Sequence, residues 1–130
     1  MPRNIQLLVD HSFSLERDVV SLFGGGTGNG TSNLSAVKGK GVQSVTRSGV
    51  GLHTIRLTDK WVGLLNFKSC VVDATSPTAW QVEVVSETVA STKQVKIAVF
   101  KNGTAADLTS DEKLRFELVL AAGTQIPSGV

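Results

Sequence analysis

The sequence predicts an all-β protein: an antiparallel β-sandwich or jelly-roll-like body carrying an extended N-terminal arm. Three observations predict it. Val95-Lys96-Ile97-Ala98-Val99 and Leu114-Arg115-Phe116-Glu117-Leu118-Val119-Leu120 place large apolar residues at every second position, the period of a strand with one buried side. Asn102-Gly103 stands between them and suits a tight turn, because both residue types tolerate positive φ. Beyond Val42 no ten-residue stretch with helical spacing intervenes, which disfavours a parallel α/β sheet. Uneven loop lengths favour a sandwich over a barrel.

Taken in order, residues 1–22 read as an arm. Ile5-Gln6-Leu7-Leu8-Val9 is a short extended apolar segment. Ser12 or Ser14 is placed to cap a brief helix reaching Leu22, with Glu16 and Asp18 near its positive end. Residues 23–41 hold seven glycines among Thr, Asn and Ser, and glycine gives up much backbone freedom when ordered. They read as a linker. From 42 to 122 strand signals recur, predicting an antiparallel β domain of five to seven strands, and 123–130 forms a tail. Within the domain, Gln43–Arg47 and Leu52–Leu57 flank a Ser48–Gly51 turn or bulge. Leu65–Val72 reads as a buried strand, with Cys70 a small buried hydrophobe. Trp80, Val82 and Val84 share one side of the next strand. The segment 104–113 reads as a polar loop.

Several chemistries are disfavoured by spacing. A Walker A loop needs glycine five residues before its Gly-Lys pair, but Leu34 stands there relative to Gly39-Lys40. Gly24 and Gly26 begin a dinucleotide fingerprint that Asn29 breaks. His11 and His53 have no His-Glu-x-x-His partner, and the lone Cys70 permits neither an internal disulfide nor a Cys-based zinc set. No Gly-x-Ser-x-Gly elbow occurs. The candidate carboxylate pairs are Asp73 with Glu83 or Glu87 and Asp107 with Asp111 or Glu112; a glycosidase would need two across a substrate-sized groove, and the second group, in a loop followed by Lys113, reads as solvated turn residues. No catalytic, cofactor-binding or metal-binding residues are therefore assigned, and no enzyme activity or cofactor is expected.

The formal charge is +2, distributed as eight Lys or Arg against four Asp or Glu through Cys70 and five against seven thereafter. Such an asymmetry suits docking between copies or onto an acidic partner. Lys38, Lys40, Arg47, Arg56, Lys60 and Lys68 lack interleaved aromatic platforms, so direct nucleic-acid binding is not expected. The first residues lack the uninterrupted apolar core of a secretion signal, and no stretch is long and apolar enough to span a membrane. Assembly in the cytoplasm is expected.

The stretches GVQSVTRSGVGLHTIRLTDKWVGLLN and WQVEVVSETVASTKQVKIAVFKNGTAADLTSDEKLRFELVL resemble small structural proteins of tailed bacteriophages. The resemblance rests on Val42, Val45, Thr46, Arg47, Gly49, Gly51, Ile55 and Leu57, then a Val-x-Ile-x-Val strand, an Asn-Gly turn and a terminal Phe-x-Leu-Val-Leu strand. It covers about residues 42–121. Such proteins are similar to capsid cement or decoration proteins, which commonly form trimers over junctions between capsid subunits. The resemblance implies a homotrimer on the outer surface of the virion, with the major capsid protein as partner, no small-molecule substrate and no membrane. The interface candidates are Leu7, Leu8, Phe13, Leu15, Val19, Arg47, His53 and Arg56. A tail or host-attachment module of the virion is the alternative, with loops 73–79, 87–93 and 101–113 as its receptor face.

Overall fold

The computed structural model describes residues 19–74 and 78–122. They form nine strands: β1 (Val19–Thr27), β2 (Ser35–Lys38), β3 (Val42–Gly49), β4 (Leu52–Leu57), β5 (Gly63–Asp73), β6 (Trp80–Glu87), β7 (Gln94–Lys101), β8 (Thr104–Ala105) and β9 (Glu112–Ala121). Sheet I has the order β2-β1-β9-β5. Sheet II has the order β3-β4-β7-β6, with β8 paired to β7. Every pairing is antiparallel.

Alternation decides what lies between the sheets. Leu114, Phe116, Leu118 and Leu120 of β9 meet Ile55 and Leu57 of β4 and Val95, Ile97 and Val99 of β7 in one buried cluster. Leu34, Val89 and Leu108 fill it from the connections. Each such side chain contributes about 1.5–3 kcal/mol by leaving water. An exposed pair such as Lys68–Glu117, at 3.9 Å, contributes about 0–1 kcal/mol. The rows, not the charges, set the architecture, which is a β-sandwich-like body. No strand pairing joins sheet I to sheet II among the described residues, so neither barrel nor jelly-roll closure is formed. Asn102 and Gly103 have φ of 53° and 84°, the left-handed pair that turns β7 into β8.

The front of the chain departs from expectation. Residues 1–18 lie outside the described residues, but 19–22, expected at the end of a helix, are strand: Val19 to Leu22 pair with Ala121 to Leu118 of β9. The expected linker at 23–41 contains the second half of β1 and all of β2, so the residues from Val19 to Gly41 belong to the β body rather than to a tether before it. With β8 as well, this raises the strand count to nine. The physical reason is close approach. A Cβ on Gly24 would lie 2.8 Å from the Phe116 ring, and one on Gly25 would lie 2.3 Å from the Leu114 carbonyl oxygen. Here glycine permits a strand to lie against its neighbours, whereas glycine count alone suggests freedom.

Strand β5 also corrects the sequence reading. Leu64 pairs with Leu120 and Asn66 with Val119, leaving Leu65 as an unpaired bulge residue. The bulge resets which side chains face inward. Phe67 and Val71 pack on the core, while Lys68, Cys70 and Val72 face solvent. Cys70 is therefore exposed rather than buried.

Candidate functional site

Of the eight interface candidates, Leu7, Leu8, Phe13 and Leu15 lie outside the described residues. Val19 is exposed on the outer side of sheet I, and Arg56 is exposed on the outer side of sheet II between Ser44 and Gln94. The remaining two face inward. Arg47 Nε and Nη2 donate to Asp107 Oδ1 and Oδ2 at 2.8 and 2.9 Å. Asp107 Oδ1 also accepts the Gly51 amide at 3.0 Å. Gly51 sits at φ +70°, and a Cβ there would meet the Val99 carbonyl oxygen at 2.5 Å, so the turn admits only glycine without strain. The paired residues stand sixty positions apart, without a local sequence signal. The hydrogen bond from Arg47 holds the Asp107 carboxyl below its ordinary range. Asp107 is thus a latch between the β3–β4 turn and the β8–β9 loop, not a solvated turn residue. Glu112, also expected in solvent, is buried; it accepts the Thr109 amide at 2.7 Å and faces Lys101 Nζ at 3.8 Å.

His53 is only 2% exposed, pairs across the ladder with Arg47 and Ile97, and has no partner for either ring nitrogen. This placement removes it from any outward interface. Burial lowers its pKa from 6.5; the nearby Asp107 charge opposes that shift and Arg47 adds to it. The neutral ring is the native form. Below the ordinary histidine range the unfolded chain takes up a proton that the folded chain refuses, so stability is retained above about pH 6.5 and declines as pH falls below it. Stability is therefore expected to be lower at about pH 5.5 than at about pH 7.5. In urea titrations at the two values, His53→Leu is expected to remove that loss; an unchanged loss would assign it to other groups.

A second feature lies on the outer side of sheet I. Phe23, opposite Glu117 in the ladder, is 65% exposed. Two residues on, Gly25 lies between Lys38 of β2 and Arg115 of β9, and Thr27 lies opposite Lys113. A depression of about 530 Å³ lies over this part of β1, lined by Phe23, Gly24, Gly25, Lys38, Lys113 and Arg115 among others. Among the described residues no carboxylate lines it. A shallower depression of about 290 Å³ shares Phe23 and Arg115 and continues to Lys68, Cys70 and Glu117. Together they cross all four strands, flanked by exposed Val19, Leu65 and Val72.

Half of this face was legible. Lys113 and Arg115 alternate with the core row of β9, so their outward direction follows from period two. Lys38 stood in the basic set, but its meeting with Arg115 depends on β1 and β2 being strands. The structure also separates that basic set, placing Lys38 and Lys68 on sheet I and Arg56 on sheet II. Among the described residues no group of three His, Cys, Asp or Glu is arranged to hold a metal ion. The face offers positive charge, an aromatic ring and aliphatic surface, the materials of protein docking. No family model, curated protein or solved structure matches the chain.

Proposed function

We propose that this chain is a capsid cement or decoration protein of a tailed bacteriophage, which binds the outside of the assembled head shell and reinforces it. The observation that carries the reading is the outer face of sheet I, a broad basic and apolar surface backed by a filled core. The resemblance at residues 42–57 adds to it, and two of its residues, Arg47 and Gly51, belong to the latch at Asp107. The proposed partner is the major capsid protein. The proposed assembly is a homotrimer. Repetition of a modest contact over a symmetric shell gives strong retention overall.

Co-sedimentation of purified protein with assembled shells and with loose coat subunits tests the role. Preference for shells by on the order of tenfold or more is expected, because linked sites raise the effective concentration. Equal binding to the two states would contradict reinforcement, and electron-microscopic density confined to the tail would favour the attachment alternative. Removal of residues 1–18 is expected to leave the β circular-dichroism spectrum intact and weaken shell retention. The cut stops there because Val19 opens β1.

A further inference from the structure

We infer that the groove over Gly25 receives an extended acidic segment of a partner protein, with carboxylates at alternate positions and an apolar residue against Phe23. The identification of that partner as the shell rests on the reading above; the chemistry of the groove does not.

Lys38, Lys113 and Arg115 come from β2 and β9 and converge on one depression with no acidic side chain among the described residues of its lining. Like charges on neighbouring sheet positions oppose folding, and an incoming anion relieves that cost. Lys113 and Arg115 are two residues apart on one face of β9, a spacing of about 7 Å in a strand. An extended chain repeats its own side chains at the same interval, so Asp or Glu at positions i and i+2 match the pair. The Arg115 guanidinium can also donate two parallel hydrogen bonds to one carboxylate. Gly25 itself is covered by the Leu114 carbonyl and the Arg115 stem, so an incoming segment meets the exposed Phe23 ring and the cationic side chains rather than the β1 backbone.

The volume falls within the roughly 300–1,000 Å³ of ligand clefts, but the groove is open along the sheet, as an extended segment requires. A single-stranded nucleic acid is disfavoured because it stacks successive bases on several aromatics, and Phe23 is the only aromatic in the lining. A free phosphate is disfavoured because the cations stand on exposed side chains.

The full chain, isotopically labelled, is titrated with a short synthetic peptide alternating glutamate and leucine. Parallel titrations use the same peptide with lysine for glutamate, oligothymidylate, and inorganic phosphate. The glutamate peptide is expected to shift the amide signals of Phe23, Gly25, Lys38 and Arg115, with affinity that falls as salt rises. The double variant Lys38→Glu/Arg115→Glu is expected to weaken binding by on the order of tenfold or more, and Glu83→Lys on sheet II to leave it unchanged. Absence of those shifts, equal shifts by the lysine peptide, or shifts by oligothymidylate or phosphate alone would overturn the inference. The same double variant is then sedimented with shells. If wild type and variant pellet equally, the groove does not dock the shell although the reinforcing role stands. If the peptide binds but wild type does not pellet, the shell reading fails and the groove inference stands.

Discussion

Replacing Gly28 by alanine is expected to destabilise the protein by about 3 kcal/mol or more, beyond the usual range for a surface position. Gly28 follows β1, and its amide donates to the Glu112 carbonyl at 2.8 Å. The Gly30 amide donates to the Leu108 carbonyl at 2.9 Å, so this short stretch lies flat against the entry to β9. A Cβ on Gly28 would sit 2.1 Å from the Thr109 carbonyl oxygen and 2.5 Å from the Leu108 carbonyl carbon. Both obstacles are backbone, so no side chain can rotate away. The expected fall in melting temperature is about 10 °C. Gly63→Ala is the matched control: its Cβ would meet nothing within 4 Å, and its change should be within about 0.5 kcal/mol. A solvated linker predicts the reverse at position 28, because alanine restricts the unfolded chain and so stabilises. The sign of one calorimetric difference therefore separates a packed strand from a tether.

Phe116→Ala is expected to cost about 3–5 kcal/mol. The ring is almost wholly buried, lies opposite Gly24 in the ladder, and stacks on Phe67 with centroids 6.1 Å apart. The more informative result concerns its partner. Gly24→Ala alone should cost about 1–3 kcal/mol, since the new carbon would crowd the ring. In the Phe116→Ala background the same carbon enters vacated space. The double variant should thus be more stable than the two separate losses require, by about 1 kcal/mol or more. Additivity within about 0.5 kcal/mol would mean that Gly24 and Phe116 do not share a packing site.

These two glycines mark where the sequence could and could not be read. The rows on β4, β7 and β9 were legible because period two is a local property of one strand. The Asn102-Gly103 turn was legible for the same reason, since its left-handed requirement belongs to two adjacent residues. Gly24 and Gly25 were not legible as strand. The side chain that covers Gly24 and the carbonyl that approaches Gly25 belong to β9, roughly ninety residues away, and nothing near them in the chain announces it. The same distance hides the salt bridge at Asp107, whose partner Arg47 reads in the sequence as an interface candidate. Cys70 sits in an apolar run that reads as wholly buried, whereas its ladder position opposite Arg115 turns it outward. The bulge at Leu65 reverses the direction of every later side chain in β5, and a hydrophobic run gives no indication of where its phase slips.

The candidate face inherits this division. Its Lys113, Arg115 and Glu117 belong to the legible half, as the outward positions of a strong strand. Its floor and its Lys38 wall exist only because the glycine segment is ordered in sheet I. The docking proposal and the place of residues 19–41 in the body therefore stand on one structural fact, the pairing of β1 with β9 and β2.

Amide hydrogen exchange resolved to single residues tests that fact most directly. Amides paired in a core sheet open only with large-scale unfolding, whereas those of a tether exchange at near-unprotected rates. Protection across Leu22–Thr27 comparable to that across Leu114–Leu118 is the expected result. Free exchange through Gly24–Gly26, with β9 still protected, would contradict the fold of sheet I and remove the groove with it.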